Sequence, residues 1–194
     1  MRRISKPDLL HTKSVLAAAL LRQPLFCTIK SILERRETVE SCAFSGHRAI
    51  PPSSGAAIRD LLARAIRYAY EQGCRTFYTG GAIGFDTYAA KAVILFRVSH
   101  PDVRLVLMLP CANQTAKWTP MQRAAYNYVL SEADESIVLS EEYERGCMER
   151  RNRALIDRAD MLICYVCRQN GGSAQTKRFA AQKGIPIYNL YGAV

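Results

Sequence analysis

The chain has 194 residues, 49% of them hydrophobic, which suffices for one ordinary domain with a proper core and places it among globular proteins. Lys and Arg number 27 against 17 Asp and Glu, a formal net charge of +10, so nucleotides, nucleic acid and anionic surfaces are plausible partners and basicity alone names none. Seven cysteines, odd in number and irregularly spaced, argue against a disulfide framework and for a reducing compartment, so the expected localisation is cytoplasmic.

Residues 1–40 open with MRRISKPDLLHTKSVLAAALLRQPLF. The apolar stretch at 15–21 is too short to span a membrane, and no small-residue cleavage site follows it closely. The segment therefore reads as a basic, amphipathic or solvated N-terminal extension, and 41–194 as one domain. From position 41 onward short apolar runs of strand length fall at 42–44, 76–78, 103–109, 136–139, 161–166 and 185–190. Helix-length segments separate them at 56–72, 85–98, 120–132, 147–159 and 174–183. Strands alternating with helices specify an α/β class, a Rossmann-like three-layer α/β/α architecture on a mainly parallel sheet with right-handed crossovers. Such sheets bind ligands outside the carboxyl ends of their strands, which directs attention to the loops after each strand.

Those loops hold the unusual residues. After the first strand comes Ser45-Gly46-His47-Arg48; His47 reads as a general base, a phosphate donor or a packing residue, and Arg48 as the better anion contact. After the second comes TGGAIGFD, in which Gly80, Gly81 and Gly84 let backbone amides face an anion at a helix start. It is neither the dinucleotide fingerprint nor a P-loop, since the glycine order differs and no lysine follows. Asp86 reads either as an acceptor for ribose hydroxyls or as a residue stabilising the helix start. After the third strand, Gln114 and Trp118 are further candidates. Tyr143, after the fourth, and Trp118 are read as stacking surfaces for a base or as packing.

In GCMERRNRALIDRAD, positions 148, 152, 155, 156 and 159 share one helical face, so Asn152 interrupts an apolar stripe and needs partners. Met148 begins that face; Arg151 flanks it near the helix start, where a phosphate or carboxylate is a fitting partner and Asn152 is placed to orient it. After the fifth strand, Gly171, Gly172, Ser173 and Thr176 again set amides and hydroxyls at a helix start, or form an ordinary turn. Cys164 and Cys167 form C-x-x-C without a second pair, and on a strand they face apart, so no metal is expected.

The series SGHR, GGAIGFDTYAAK, PCANQ with Trp118, Y-x-x-GCM-x-x-RNR and GGSAQT resembles the YpsA-like branch of the SLOG superfamily, Rossmann-like proteins related to lonely-guy phosphoribohydrolases and to DNA-processing protein A. The resemblance covers about residues 41–191. It implies a bacterial binding module for a nucleotide or nucleotide-derived ligand such as NAD, ADP-ribose or a mononucleotide, acting as a sensor or regulator. It implies a small-molecule partner, leaves a homodimer open, and involves no membrane. The alternative it implies is single-stranded DNA binding in the manner of DNA-processing protein A, or hydrolysis of a nucleoside phosphate. In the lonely-guy pattern a glutamate supports cleavage; Arg178 stands in its place here, so no catalytic residue is assigned and the expectation leans away from an enzyme.

Overall fold

A computed structural model describes residues 39–193. The expected N-terminal extension lies, apart from its last two residues, outside the described residues. Six strands form one sheet: β1 (Ser41–Gly46), β2 (Thr76–Thr79), β3 (Arg104–Leu109), β4 (Glu135–Val138), β5 (Met161–Tyr165) and β6 (Ile187–Asn189). Five helices connect them: α1 (Gly55–Glu71), α2 (Phe85–Arg97), α3 (Pro120–Glu132), α4 (Cys147–Asp157) and α5 (Gly172–Lys183). A single 3-10 turn, Pro52–Ser54, leads into α1.

The strand order is β4-β3-β2-β1-β5-β6 and all five pairings are parallel. The chain thus steps outward from β1 to β4, then returns to lay β5 on the other side of β1. Alternation along the strands divides the core. Cys42, Phe44, Phe77, Leu105 and Leu107 meet Ile58, Leu62 and Ile66 of α1 and Ala89 and Val93 of α2 on one face, with Tyr126 and Val129 of α3. Ala43, Met108, Leu162 and Cys164 meet Leu155 and Ile156 of α4 and Ala174 and Ala180 of α5 on the other. The near-continuous apolar strands β1, β3 and β5 follow from being covered on both faces.

Polar anchors set the layers. The Asp160 carboxylate accepts hydrogen bonds from the Ser41 amide at 3.0 Å and its hydroxyl at 2.8 Å, tying the turn before β5 to the start of β1. Lys183 Nζ donates to the carbonyls of Ile156, Asp157 and Ala159 at 2.8–2.9 Å, satisfying the end of α4 from the end of α5. The expected strands and helices are all present. Boundaries move by at most two residues; α5, for example, begins at Gly172 because Gln175 already donates to the Gly171 carbonyl at 2.9 Å. Among the described residues no helix is long and apolar enough to cross a membrane.

Candidate functional site

The order of strands reverses between β1 and β5, so the loops leaving them diverge and open a crevice at their carboxyl ends. A cleft of about 380 Å³ occupies it, within the ~300–1,000 Å³ typical of small-molecule sites. Ser45, Gly46, His47 and Arg48 wall it from β1, Ala82 and Asp86 from the turn into α2 and its first turn, Met148, Arg151, Asn152 and Leu155 from α4, and Arg168 with residues 170–173 from the loop after β5.

The glycine turn makes this assembly close. Gly84 has φ +82°, and a Cβ there would stand 2.3 Å from the Arg48 carbonyl oxygen and 2.5 Å from that of His47. The Phe85 amide donates to the His47 carbonyl at 3.1 Å, so the first N–H of α2 is satisfied by the neighbouring turn. Gly80 lies under the guanidinium of Arg151, whose Nη1 would be 1.4 Å from an added Cβ. These glycines are required by close approach of backbone and side chain. Amides of the 80–84 turn point inward: Ala82 N–H donates to Asp86 Oδ2 at 3.4 Å, and the Gly80 amide faces the same carboxylate.

At the base of the cleft sit three buried polar residues, Asp86, Arg151 and Asn152, exposed by only 5%, 7% and 5%. Arg151 Nε donates to Asn152 Oδ1 at 3.0 Å. Asn152 Nδ2 donates in turn to the Gly172 carbonyl at 3.2 Å, with Gln175 Oε1 at 3.5 Å. Arg151 Nη1 is buried without a hydrogen-bond partner and lies 3.8 Å from Asp86 Oδ2. Burial raises the pKa of Asp86, with Arg151 as the strongest opposing influence. Burial also lowers the pKa of Arg151, opposed by Asp86.

His47 bridges the two walls. Its Nε2 accepts the Cys167 backbone N–H at 2.8 Å, and Nδ1 lies 3.3 Å from Ser173 Oγ. Since an amide nitrogen only donates, Nε2 carries the lone pair and the ring proton sits on Nδ1. Burial, with Arg168 beside it, depresses the His47 pKa and keeps the ring neutral.

The structure therefore brings Ser45, Gly46, His47, Arg48, Asp86, Met148, Arg151, Asn152, Gly171, Gly172 and Ser173 around one cleft. Gly80, Gly81 and Gly84 lie behind it as packing, and Gln114 Nε2 sits beside Gly81. Thr176 is interior, its hydroxyl donating to the Gly172 carbonyl at 2.9 Å. Trp118 packs edge-on against Tyr126, while Tyr143 is exposed beyond β4 with its amide held by Asn113 Oδ1; neither lines the cleft. Arg178 donates to the Gln169 carbonyl at 2.9 Å, bracing the loop after β5. Sequence reasoning missed Arg168, for which the only available signal was a cation two residues before Asn170 and its glycine pair on a strand-end loop. Among the described residues no cluster of His, Cys, Asp and Glu could hold a metal ion.

Known proteins show the same frame. The YpsA family model, described as the YspA SLOG family, matches residues 52–187. The UPF0398 protein of Bacillus thuringiensis (strain Al Hakam) is 26% identical over 136 residues, 69% of this chain and 74% of that protein. DNA processing protein A from Helicobacter pylori, solved for its single-stranded DNA binding mode, superposes with a TM-score of 0.55 at 19% identity over 78% of this chain and 65% of its own. The Streptococcus pneumoniae protein of the same name gives 0.56 at 16%, over 77% and 49%. This chain thus spans about two thirds and half of those two solved chains, and at such identities the likeness is one of fold.

Proposed function

This chain belongs to the YspA SLOG family, and from that premise we propose that the β1/β5 cleft is a binding site for a phosphate-bearing nucleotide or nucleotide derivative, of the NAD, ADP-ribose or mononucleotide class, read by the protein as a sensor. The observation that carries the reading is the charge of the cleft. Three guanidinium groups, Arg48, Arg151 and Arg168, line it against one carboxylate, Asp86, and one of the three has a buried nitrogen without a partner. A buried donor left unsatisfied costs about 1–3 kcal/mol, a cost that an anionic ligand oxygen removes. Arg guanidinium is suited to phosphate by its planar fork of donors. The turn at 170–173, opening α5, adds amides and the positive end of a helix on the same side. Asp86 is the acceptor available to ribose hydroxyls. Because no second carboxylate lines the cleft, the reading is one of binding and not of glycosidic cleavage. The six described cysteines are free thiols, which supports a reducing, cytoplasmic setting.

Single-stranded DNA binding is the second reading, favoured by the +10 charge and by the fold shared with DNA processing protein A. Thermal unfolding with NAD, ADP-ribose, AMP, ATP and a short DNA strand separates the two. A ligand at ~100 times its dissociation constant adds about 2.7 kcal/mol of stability. A shift with a nucleotide, lost in Arg151→Ala, is the expected result; a shift with DNA alone selects the second reading, and no shift overturns both. Light scattering on the same samples reports whether the protein acts as a homodimer.

A further inference from the structure

Helices α1 and α2 lie side by side on one face of the sheet, and a groove of about 750 Å³ runs between their outer stripes, sharing no lining residue with the β1/β5 cleft. Arg59, Ala63 and Arg67, spaced four apart, form the bank on α1. Tyr88, Lys91, Ala92, Leu95 and Ser99, at spacings of three and four, belong to one stripe of α2 and form the other. Alanine at 63 and 92 keeps the middle of the groove open, and Leu95 stands 74% exposed at its edge. Arg59, Arg67 and Lys91 rim the groove and no carboxylate lines it. Among the described residues none of the three makes an ion pair or hydrogen bond; Arg67 and Lys91 each stand 5.8 Å from a ring centroid, of Phe96 and Tyr128. The hydroxyls are already engaged, since Thr87 Oγ1 donates to the Ala82 carbonyl at 3.0 Å and Ser99 Oγ to that of Phe96 at 3.3 Å. The groove therefore lacks the fixed polar groups that orient a small molecule.

We propose that the α1/α2 groove docks an acidic amphipathic helix of a partner protein, its apolar stripe on Ala63, Ala92, Leu95 and Phe96 and its carboxylates against Arg59, Arg67 and Lys91. The α2 bank from Tyr88 to Ser99 is about 17 Å long at ~1.5 Å per residue, so it takes three turns of partner helix with anchors at i, i+3 or i+4, and i+7. The apolar stripe supplies the driving force, and the exposed charges set register and partner choice. Charge also selects the occupant. A second copy seated about a two-fold axis would bring this rim against itself, cation to cation. Residues 1–38 carry eight basic and three acidic side chains, a net charge of the same sign as the rim. A single DNA strand would satisfy the cations, but its bases need aromatic faces. The exposed surface here is aliphatic, at Ala63 and Leu95, and Phe96 already stacks on His100 at 3.9 Å.

The test is fluorescence anisotropy of the full chain with a labelled, stapled helical peptide that carries leucines at i, i+3 and i+7 and glutamates on both flanks. The same peptide with lysine for glutamate is the control. The glutamate peptide is expected to bind at least about tenfold tighter than the lysine peptide, and the preference should reverse when Arg59→Glu, Arg67→Glu and Lys91→Glu are combined. Ala63→Trp fills the groove without changing any charge. It should weaken the glutamate peptide about tenfold or more while thermal unfolding stays unchanged, as expected of a surface position. Leu95→Ser, at a site 74% exposed, answers the same question if Ala63→Trp fails to fold. No binding of the glutamate peptide overturns the proposal. So does binding that both variants leave unchanged, since net charge alone would then account for it. A short DNA strand that displaces the peptide and itself loses affinity in Ala63→Trp assigns the groove to nucleic acid. Light scattering that shows a dimer dispersed by Ala63→Trp assigns it to a second copy, and either result overturns the partner helix.

Discussion

Arg151 Nη1 stands 3.8 Å from Asp86 Oδ2 inside the fold, close enough to feel its charge and too far to donate a hydrogen bond to it. The position is held from elsewhere. Arg151 Nε is fixed by Asn152 on the next residue of α4, and the Asp86 carboxylate by the Ala82 amide in the turn before α2. Two helices on opposite faces of the sheet thus each bring one charge to the switch point, and neither charge fully satisfies the other. Such a pair is poor as a stabilising device, since burying both ions costs several kcal/mol each unless their hydrogen bonding is complete. It is well arranged to take a ligand oxygen.

Three glycines around this pair should fail in a definite order when changed to alanine. At Gly84 the Cβ would meet backbone oxygens of Arg48 and His47 at 2.3 and 2.5 Å, and φ is +82°, so neither neighbour nor backbone can give way cheaply. At Gly80 the clash is with Arg151 Nη1, a side-chain end that can move, although moving it vacates the site. At Gly171 φ is +99° but nothing lies within 4 Å, leaving only backbone strain of about 1–3 kcal/mol. Thermal unfolding should rank the losses Gly84→Ala above Gly80→Ala or Gly171→Ala. Each kcal/mol corresponds to about 2–4 °C at this chain size. Gly80→Ala should also lose ligand binding out of proportion to its stability. A Gly84→Ala protein as stable as the unchanged chain would refute the interlocked turns.

The alternation of strands and helices was legible because the central strands β1, β3 and β5 are buried on both faces and read as apolar runs. The exposed end of the sheet obeys the rule less well: β4 has Glu135 exposed at its head and Val138 half exposed at its end. Asn152 was legible as an amide breaking an apolar stripe, and the structure gives it partners on both sides. What the glycines of 80–84 do was not legible. Glycine marks a need for space, but whether amides or a neighbouring turn fill that space depends on contacts between residues distant in sequence. Here Phe85 caps onto His47 and Gly80 makes room for Arg151. Gln114, Trp118 and Tyr143 carried the right chemistry on the right rim, yet they follow β3 and β4, away from the point where the strand order turns back.

Asn152→Ala should cost stability and binding together. It removes the acceptor for Arg151 Nε, a buried group that costs about 1–3 kcal/mol if left unpaired, and one donor to the Gly172 carbonyl, which the Thr176 hydroxyl still serves. Asn152→Asp keeps the acceptor and brings a charge beside Arg151, so it should lose only the tie to Gly172. Chemical denaturation is expected to place Asn152→Asp between the unchanged protein and Asn152→Ala. Equal losses would mean that the link to α5, and not the orientation of Arg151, is what matters.

Arg168 lies on an exposed loop and has no side-chain hydrogen bond or ion pair among the described residues, so Arg168→Ala should leave unfolding unchanged within about 0.5 kcal/mol. A charge-assisted hydrogen bond is worth ~1.5–3 kcal/mol, hence nucleotide affinity should fall about tenfold or more. Titration calorimetry at two salt concentrations gives the control. A mononucleotide held in one cleft should saturate one-to-one with a shallow salt dependence, whereas affinity for a DNA strand should fall linearly in log–log form, with a slope of about −0.7 per phosphate contacted. A steep slope, with Arg168→Ala reducing it, would favour the DNA reading.

The pH dependence of Asp86 tests which force governs the buried pair. Burial is the larger influence and raises its pKa above the ordinary carboxylate value, against the pull of Arg151. The folded state therefore holds the proton more tightly than the unfolded state. The stability this contributes is fully present below the unfolded value of about 3.9 and is lost as pH rises through the raised folded value. Asp86→Asn cannot ionise and serves as the reference. The free energy of unfolding of the unchanged protein, minus that of Asp86→Asn, should fall as pH is raised from 4 to 8. A difference that rises over that range would show that attraction to Arg151 outweighs burial, and that the carboxylate is already satisfied before any ligand arrives.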